Sequence, residues 1–355
     1  MKTRKVSISV FQILISIIVI IAIVLGIIAV KNVVTKKQNA NKEKTTFEGS
    51  GTSEDAYQIS KVEDLINLLL DINKGRTYDG KHFVLQTNLN LQEDSSYNNP
   101  NDKSFGDLNN DGKTEEIKKE LTTGDGLRLI GKKDLNSKKD REVIFKGIFD
   151  GNGHSITNVK SKNYPYILMG NNYGTIKNVR LQNATVPSRN YSADFRSGIL
   201  CSNNYGTIEN CAVENAVIKT KKKTEYDDEM TIKLRVHSAL AGGNYGTIKD
   251  SFAKDITFDG DGDTYPLSQS FTGSHIENTY YLSEKTEDKN AKTAQQFASG
   301  EVCSLLNHGV SDGSQYWYQN IDNDGEKDQA PVADSSHGTV YTGYQECVKS
   351  YSNEK

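Results

Sequence analysis

No charged residue occurs between Val6 and Val30, and Ile, Val and Leu dominate the run. As a helix rising about 1.5 Å per residue it reaches roughly 37 Å, enough to cross a hydrocarbon core of about 30 Å. A cleaved secretory signal has an apolar stretch of only about 7 to 15 residues and ends at small residues. This run closes instead on Ile27-Ile28-Ala29-Val30. The pattern predicts one transmembrane helix over 6–30 in contact with the lipid bilayer, a short tail over 1–5, and a polar Lys/Asn-rich linker over 31–48. A pilin-like helix is the other reading of Phe11-Gln12-Ile13-Leu14-Ile15, but Val10 and Ile15 stand where pilins carry Gly and Glu.

From Gly49 the pattern changes. Tyr57 and Ile59 start a short strand, and Ser60 with Glu63 suggests a capping box ahead of Leu65, Leu68, Leu69 and Ile72, one face of a helix that stops at Gly75. Strand-like alternation follows at Phe83, Leu85, Leu89 and Leu91. Three segments then repeat: Asn171 to Asn178, Asn203 to Asn210, and Gly243 to Asp250, each carrying Asn-Tyr-Gly-Thr-Ile. Gly174, Gly206 and Gly246 are spaced 32 and then 40 apart, so insertions of unequal length separate matching units. Degenerate copies flank them at Gly153 to Asn158 and Gly273 to Asn278.

Aligned in this way, Ile156, Ile176, Ile208, Ile248 and Ile276 form one apolar column, followed three places on by Val159, Val179, Cys211, Ser251 and Thr279. A step of three implies a bend at Asn158, Asn178, Asn210, Asp250 and Asn278, residue types that tolerate the left-handed backbone of a corner and can form side-chain ladders. Leu181, Val213 and Ala253, then Val186, Ile218 and Phe258, continue as inward positions. The expected fold is mainly β, a right-handed parallel β-helix or solenoid over 49–290 with a capping helix, followed by a C-terminal capping segment over 291–355. A propeller or sandwich is the alternative.

The Asn-Tyr-Gly-Thr-Ile units, with Gly198-Ile199-Leu200 leading into the second, resemble GLUG motifs, the short repeats of bacterial surface and adhesin-like proteins. Phe145 to Ile156 is similar to the rung that often precedes them, and Phe297 to Cys303 with Trp317 to Tyr341 is similar to their closing segment. The resemblance implies a β-helix outside the cell and names no ligand. It also bears on orientation, because Lys31, Lys36, Lys37, Lys42 and Lys44 after the helix outnumber Lys2, Arg4 and Lys5 before it. Charge bias acts weakly on long translocated domains. The expectation is therefore a single-pass cell-membrane protein with an extracellular C-terminal domain.

A net charge of -3 and a pI near 6.1 give no electrostatic reason to expect nucleic acid. Of four cysteines, Cys201 aligns with Met169 and Ala241, and Cys211 with Val179 and Ser251, which makes both small core residues. Whether Cys303 and Cys347 pair is open, since sequence does not give their separation.

Calcium is the one metal with candidate ligands. Asp107, Asn109, Asp111 and Glu115 match the start of an EF-hand loop, but Lys118 stands where the bidentate Glu belongs. Asp259, Asp261 and Asp263, and Asp322, Asp324 and Asp328, read as turn chemistry. Neither His-Glu-x-x-His nor Gly-x-Ser-x-Gly occurs, and the six His are scattered. No cofactor and no catalytic residue is expected. The function expected is a non-catalytic module for adhesion, ligand display or surface assembly. It would present its insertions Pro187 to Ser197, Thr220 to His237 and Asp259 to Ser270 to an extracellular glycan or protein. An anchored carbohydrate-active β-helix enzyme and a pilin-like subunit are the alternatives.

Overall fold

The computed structural model describes residues 47–73, 75–91, 143–161, 166–186, 195–219, 235–285, 287–310, 313–321, 328–338 and 340. The expected membrane span at 6–30 lies outside them. Among the described residues no helix is long and apolar enough to cross a membrane.

The described chain is mainly β with few helices, and its strands form four sheets in which every ladder is parallel. Numbered along the chain, the first sheet runs β1 (Tyr57–Ile59), β2 (His82–Leu85), β5 (Ile148–Asp150), β8 (Thr175–Lys177), β13 (Thr207–Glu209), β17 (Thr247–Lys249) and β21 (His275–Glu277). The second runs β3 (Leu89–Asn90), β6 (Ser155–Thr157), β9 (Arg180–Gln182), β14 (Ala212–Lys219), β18 (Phe252–Asp259), β22 (Tyr280–Leu282) and β23 (Ala291–Lys292), with β10 (Thr185–Val186) alongside β14. The third contains β4 (Ile144–Phe145), β7 (Met169–Asn172), β12 (Cys201–Asn204), β16 (Ala241–Asn244) and β20 (Ser268–Ser270). A fourth, β11 (Phe195–Gly198), β15 (Arg235–Ser238) and β19 (Asp263–Tyr265), is built from the ends of the insertions. Each repeat thus adds one strand to each of the first three sheets, in chain order.

The apolar column of the first sheet is Phe149, Ile176, Ile208, Ile248 and Ile276, in direct register. Ile156 does not belong to it: it pairs with Leu181 in the second sheet, and Phe149 takes its expected place. The spelling of Gly153 to Ile156 resembles a repeat, but a turn at Asn152 and Gly153, with φ of 51° and 79°, carries the chain past the corner first. Val159 moves with it, accepting from the Thr185 N–H at 2.8 Å.

The corner itself is as expected at Asn178, Asn210, Asp250 and Asn278, whose φ values are 58°, 50°, 53° and 40°. Their side chains form ladder contacts, Asn210 to Asn178 at 3.3 Å and Asn278 to Asp250 at 3.4 Å. Asn158 belongs to a second left-handed row with Asn183, Asn215 and Asp255, at 60°, 53°, 51° and 56°. The Asn183 amide donates to Asn158 at 3.2 Å. Outward on the first sheet, Asp150, Lys177, Glu209, Lys249 and Glu277 stack in register with alternating sign. Lys177 meets Asp150 at 3.1 Å and Lys249 meets Glu209 at 3.2 Å. Half-exposed pairs of this kind contribute little individually, but like charges directly opposite would oppose the register.

The first helix, α1 (Val62–Asn73), buries Leu65, Leu68, Leu69 and Ile72 and packs against β1 and β4. Its N-terminus is closed by Asp64 rather than Glu63: the Asp64 carboxylate accepts from the Ser60 and Lys61 N–H groups at 3.0 and 3.1 Å. Gly75, at φ 96°, ends it as expected. Phe47, assigned to the linker from sequence, is buried in the core beside Tyr57 and Phe83, with ring centroids 5.6 and 5.4 Å away.

The C-terminal segment covers the outward side of the second sheet. There Ala212, Phe252 and Tyr280 form a second small core with α2 (Ala294–Ala298), α3 (Glu301–Leu306) and Trp317. Trp317 is buried and donates its indole N–H to the Asp250 carbonyl at 3.1 Å. Cys201, Cys211 and Cys303 are free and buried. Cys201 pairs with Met169 and Ala241, as its alignment predicts. Cys347 lies outside the described residues.

Candidate functional site

Each repeat ends its third-sheet strand on a buried Asn and follows it with an aromatic ring. Asn172, Asn204 and Asn244 are fully buried and linked Nδ2 to Oδ1 at 2.8 and 2.9 Å. Each also donates to the carbonyl of the next rung, Thr207, Thr247 or His275. Buried amides are tolerated because both ends are used. The glycines that follow are dictated by stacking: a Cβ at Gly206 would lie 2.0 Å from the Gly174 carbonyl oxygen.

Tyr173, Tyr205 and Tyr245, each pinned between Asn and Gly, stack with one another and with Phe271, with centroids 4.5, 4.7 and 4.3 Å apart and planes within 12° of parallel. These separations follow the interstrand spacing of about 4.8 Å. Tyr173 and Tyr205 are 47% and 40% exposed. Since the facing ring surfaces are used within the stack, the exposed part of Tyr173 and Tyr205 includes their ring edges. The Arg196 guanidinium lies 4.9 Å from the Phe271 ring centroid, and its Nε donates to Gln269 at 3.1 Å.

Arg196 comes from the fourth sheet, which changes the picture of the insertions. They were expected as separate projecting loops, yet their ends stack in register, Ser197 on His237 on Thr264. Arg196 crosses Gly242 and Gly243, where a Cβ would approach its Cβ and Cδ to 2.8 Å, and this accounts for the glycine pair of the third repeat. Residues 187–194 and 220–234 of the insertions lie outside the described residues.

His237 carries no signal in the sequence, and only tertiary burial singles it out. It is 1% exposed, and neither ring nitrogen has a hydrogen-bond partner among the described residues. Burial, helped by the nearby Arg235 charge, pushes its pKa down to about 4. The ring is therefore a neutral imidazole near pH 7.

The calcium candidate Asp107, Asn109, Asp111 and Glu115 lies outside the described residues. Among the described residues no group of three or more His, Cys, Asp or Glu side chains could hold a metal ion. Asp328 behaves as a turn residue, accepting from the Asn320 N–H at 2.7 Å and pairing with His337. Asp263 lies on β19.

No protein-family model and no curated protein matches the chain. One solved structure similar to it is the crystal structure of a candidate immunoglobulin A1 protease from Bacteroides ovatus, at 14% identity and a TM-score of 0.39, covering 80% of this chain and 94% of that one. A likeness at that level carries no argument about function.

Proposed function

We propose that this chain is a membrane-tethered, right-handed parallel β-helix that binds or displays ligands at the cell surface without turning them over. The helical reading is supported by parallel ladders throughout, with each repeat adding one strand to each of the first three sheets in chain order. The observation that carries the function is the placement of the insertions. Segments of unequal length close into one in-register sheet, and Arg196 of that sheet reaches the end of a partly exposed aromatic column. A rigid stack holding aromatic edges and insertion loops together is suited to recognition. The run from Val6 to Val30 would tether it.

The test is a glycan and host-matrix binding screen with the full chain, beside Tyr173→Ser and Tyr205→Ser. The reading expects a ligand whose binding weakens in both variants while each keeps its cooperative melt. Turnover of a polysaccharide or peptide, abolished by changing one carboxylate, would replace it with an enzyme. Protease added to intact cells should digest the domain; a fully protected domain would place it in the cytoplasm and end the surface reading.

A further inference from the structure

A groove of about 510 Å³ opens on the outward face of the first sheet, at β1, β2, β5 and β8, with the turn before β1 as one wall. Its size falls within the range of roughly 300–1,000 Å³ usual for small-ligand sites. None of the four stacked aromatic residues lines it. Half-buried Val84 and Ile148 supply apolar surface at its floor.

The polar groups around that floor divide into two kinds. Asp150 is already engaged, accepting from Asn178 at 2.9 Å and the Asn152 N–H at 2.8 Å while pairing with Lys177 at 3.1 Å. By contrast, the side chains of Gln58, His82, Gln86 and Asp55 make no hydrogen bond to any described residue. The uncommitted capacity is therefore two primary amides, an imidazole and a carboxylate around an apolar strip.

That set selects a ligand chemistry. A hard cation needs converging oxygen ligands, and the free carboxylate oxygens here stand on one wall only. An anion would face Asp55 and Glu54, with the Lys177 ammonium already taken by Asp150. Amides and imidazole both donate and accept, as hydroxyl groups do, and Val84 with Ile148 can take the C–H face of a ring. We infer that this groove is a binding site for a short, neutral saccharide. It is separate from the aromatic column and does not rest on the function proposed for it.

The experiment titrates the full chain with di- to tetrasaccharides of glucose, galactose, mannose and N-acetylglucosamine, using saturation-transfer NMR and calorimetry, with calcium and spermidine as parallel probes. At least one saccharide should bind with a dissociation constant of about 1 mM or tighter. Gln58→Ala and Gln86→Ala should each weaken it about tenfold, and Ile148→Arg should abolish it, all three keeping the wild-type melting temperature within a few degrees. Tyr205→Ser should leave saccharide binding unchanged, which separates this site from the aromatic column. Absence of saccharide binding, affinity unmoved by the two Gln variants, or binding of calcium or spermidine alone would overturn the inference.

Discussion

The Nδ2 of Asn204 donates to the Oδ1 of Asn244 at 2.9 Å, with both side chains wholly buried. Asn204 also accepts from Asn172 at 2.8 Å and donates to the Thr247 carbonyl at 3.1 Å, so it is the middle link of a satisfied internal ladder. Asn204→Ala strands a buried donor and a buried acceptor, and the expected loss is about 2–4 kcal/mol. Urea unfolding checks it. The neighbouring half-buried Asn203, bonded to Asn171 at 2.9 Å, is the control and should cost under about 1 kcal/mol on replacement by Ala.

Ile208 is fully buried between Ile176 and Ile248 in the first-sheet column. Ile208→Asp puts a carboxylate there with no partner, costing several kcal/mol or forcing its protonation, about 3–5 kcal/mol in practice. A thermal melt indistinguishable from wild type would disprove the column.

Two glycines separate close approach from backbone conformation. Gly206→Ala drives a Cβ to within 2.0 Å of the Gly174 carbonyl oxygen and should abolish cooperative folding or lower the melting temperature by more than ten degrees. Gly273, at φ 85°, faces open space, so Gly273→Ala meets only the left-handed penalty of roughly 1–2 kcal/mol. Equal effects of the two changes in chemical denaturation would contradict the stacking.

The depressed pKa of His237 gives a signed pH dependence. Above its ordinary value of 6.5 the imidazole is neutral whether folded or unfolded and contributes no difference. As pH falls from 6.5 towards about 4, the unfolded chain takes up a proton that the folded site refuses, and stability drops by up to about 3 kcal/mol. His237→Gln should flatten that part of the stability curve. Identical curves for variant and wild type between pH 4 and 6.5 would show that His237 is not held neutral.

Burial raises the thiol pKa of Cys201, Cys211 and Cys303, that of Cys211 to about 12. A thiol kept protonated and covered does not react. Alkylation of these three, followed by mass spectrometry, should therefore track unfolding in urea. Labelling in native buffer within minutes would place at least one of them outside the core.

The repeated units were legible because each near-identical segment faces the same local problem: Ile176, Ile208, Ile248 and Ile276 had to share a column, and the Asn/Asp that follows each had to turn the chain. Cys201 could be placed for the same reason, by what its aligned neighbours Met169 and Ala241 are. The stripe of α1 was equally local. Where copies diverge, spelling stops deciding register. Ile156 reads like a repeat position, but the Asn152-Gly153 turn and the pairing of Phe149 with Ile176 put it on another sheet.

The candidate site belonged mostly to the second kind of information. Sequence located the insertions but not their joining into a sheet, because Ser197, His237 and Thr264 become neighbours only through pairing across long intervals of chain. The tyrosines were visible as repeat letters, whereas their stacking, the approach of Arg196 and the burial of His237 depend on interstrand spacing and on what covers each side chain. The groove gathers Asp55, Gln58, His82, Gln86, Ile148 and Lys177 from four segments. By itself the sequence determined the apolar run at 6–30, the repeat and its turning residues, all properties of adjacent positions. Tertiary structure decided register, the second row of corners and the face covered by Trp317, because those follow from contacts between residues far apart in the chain.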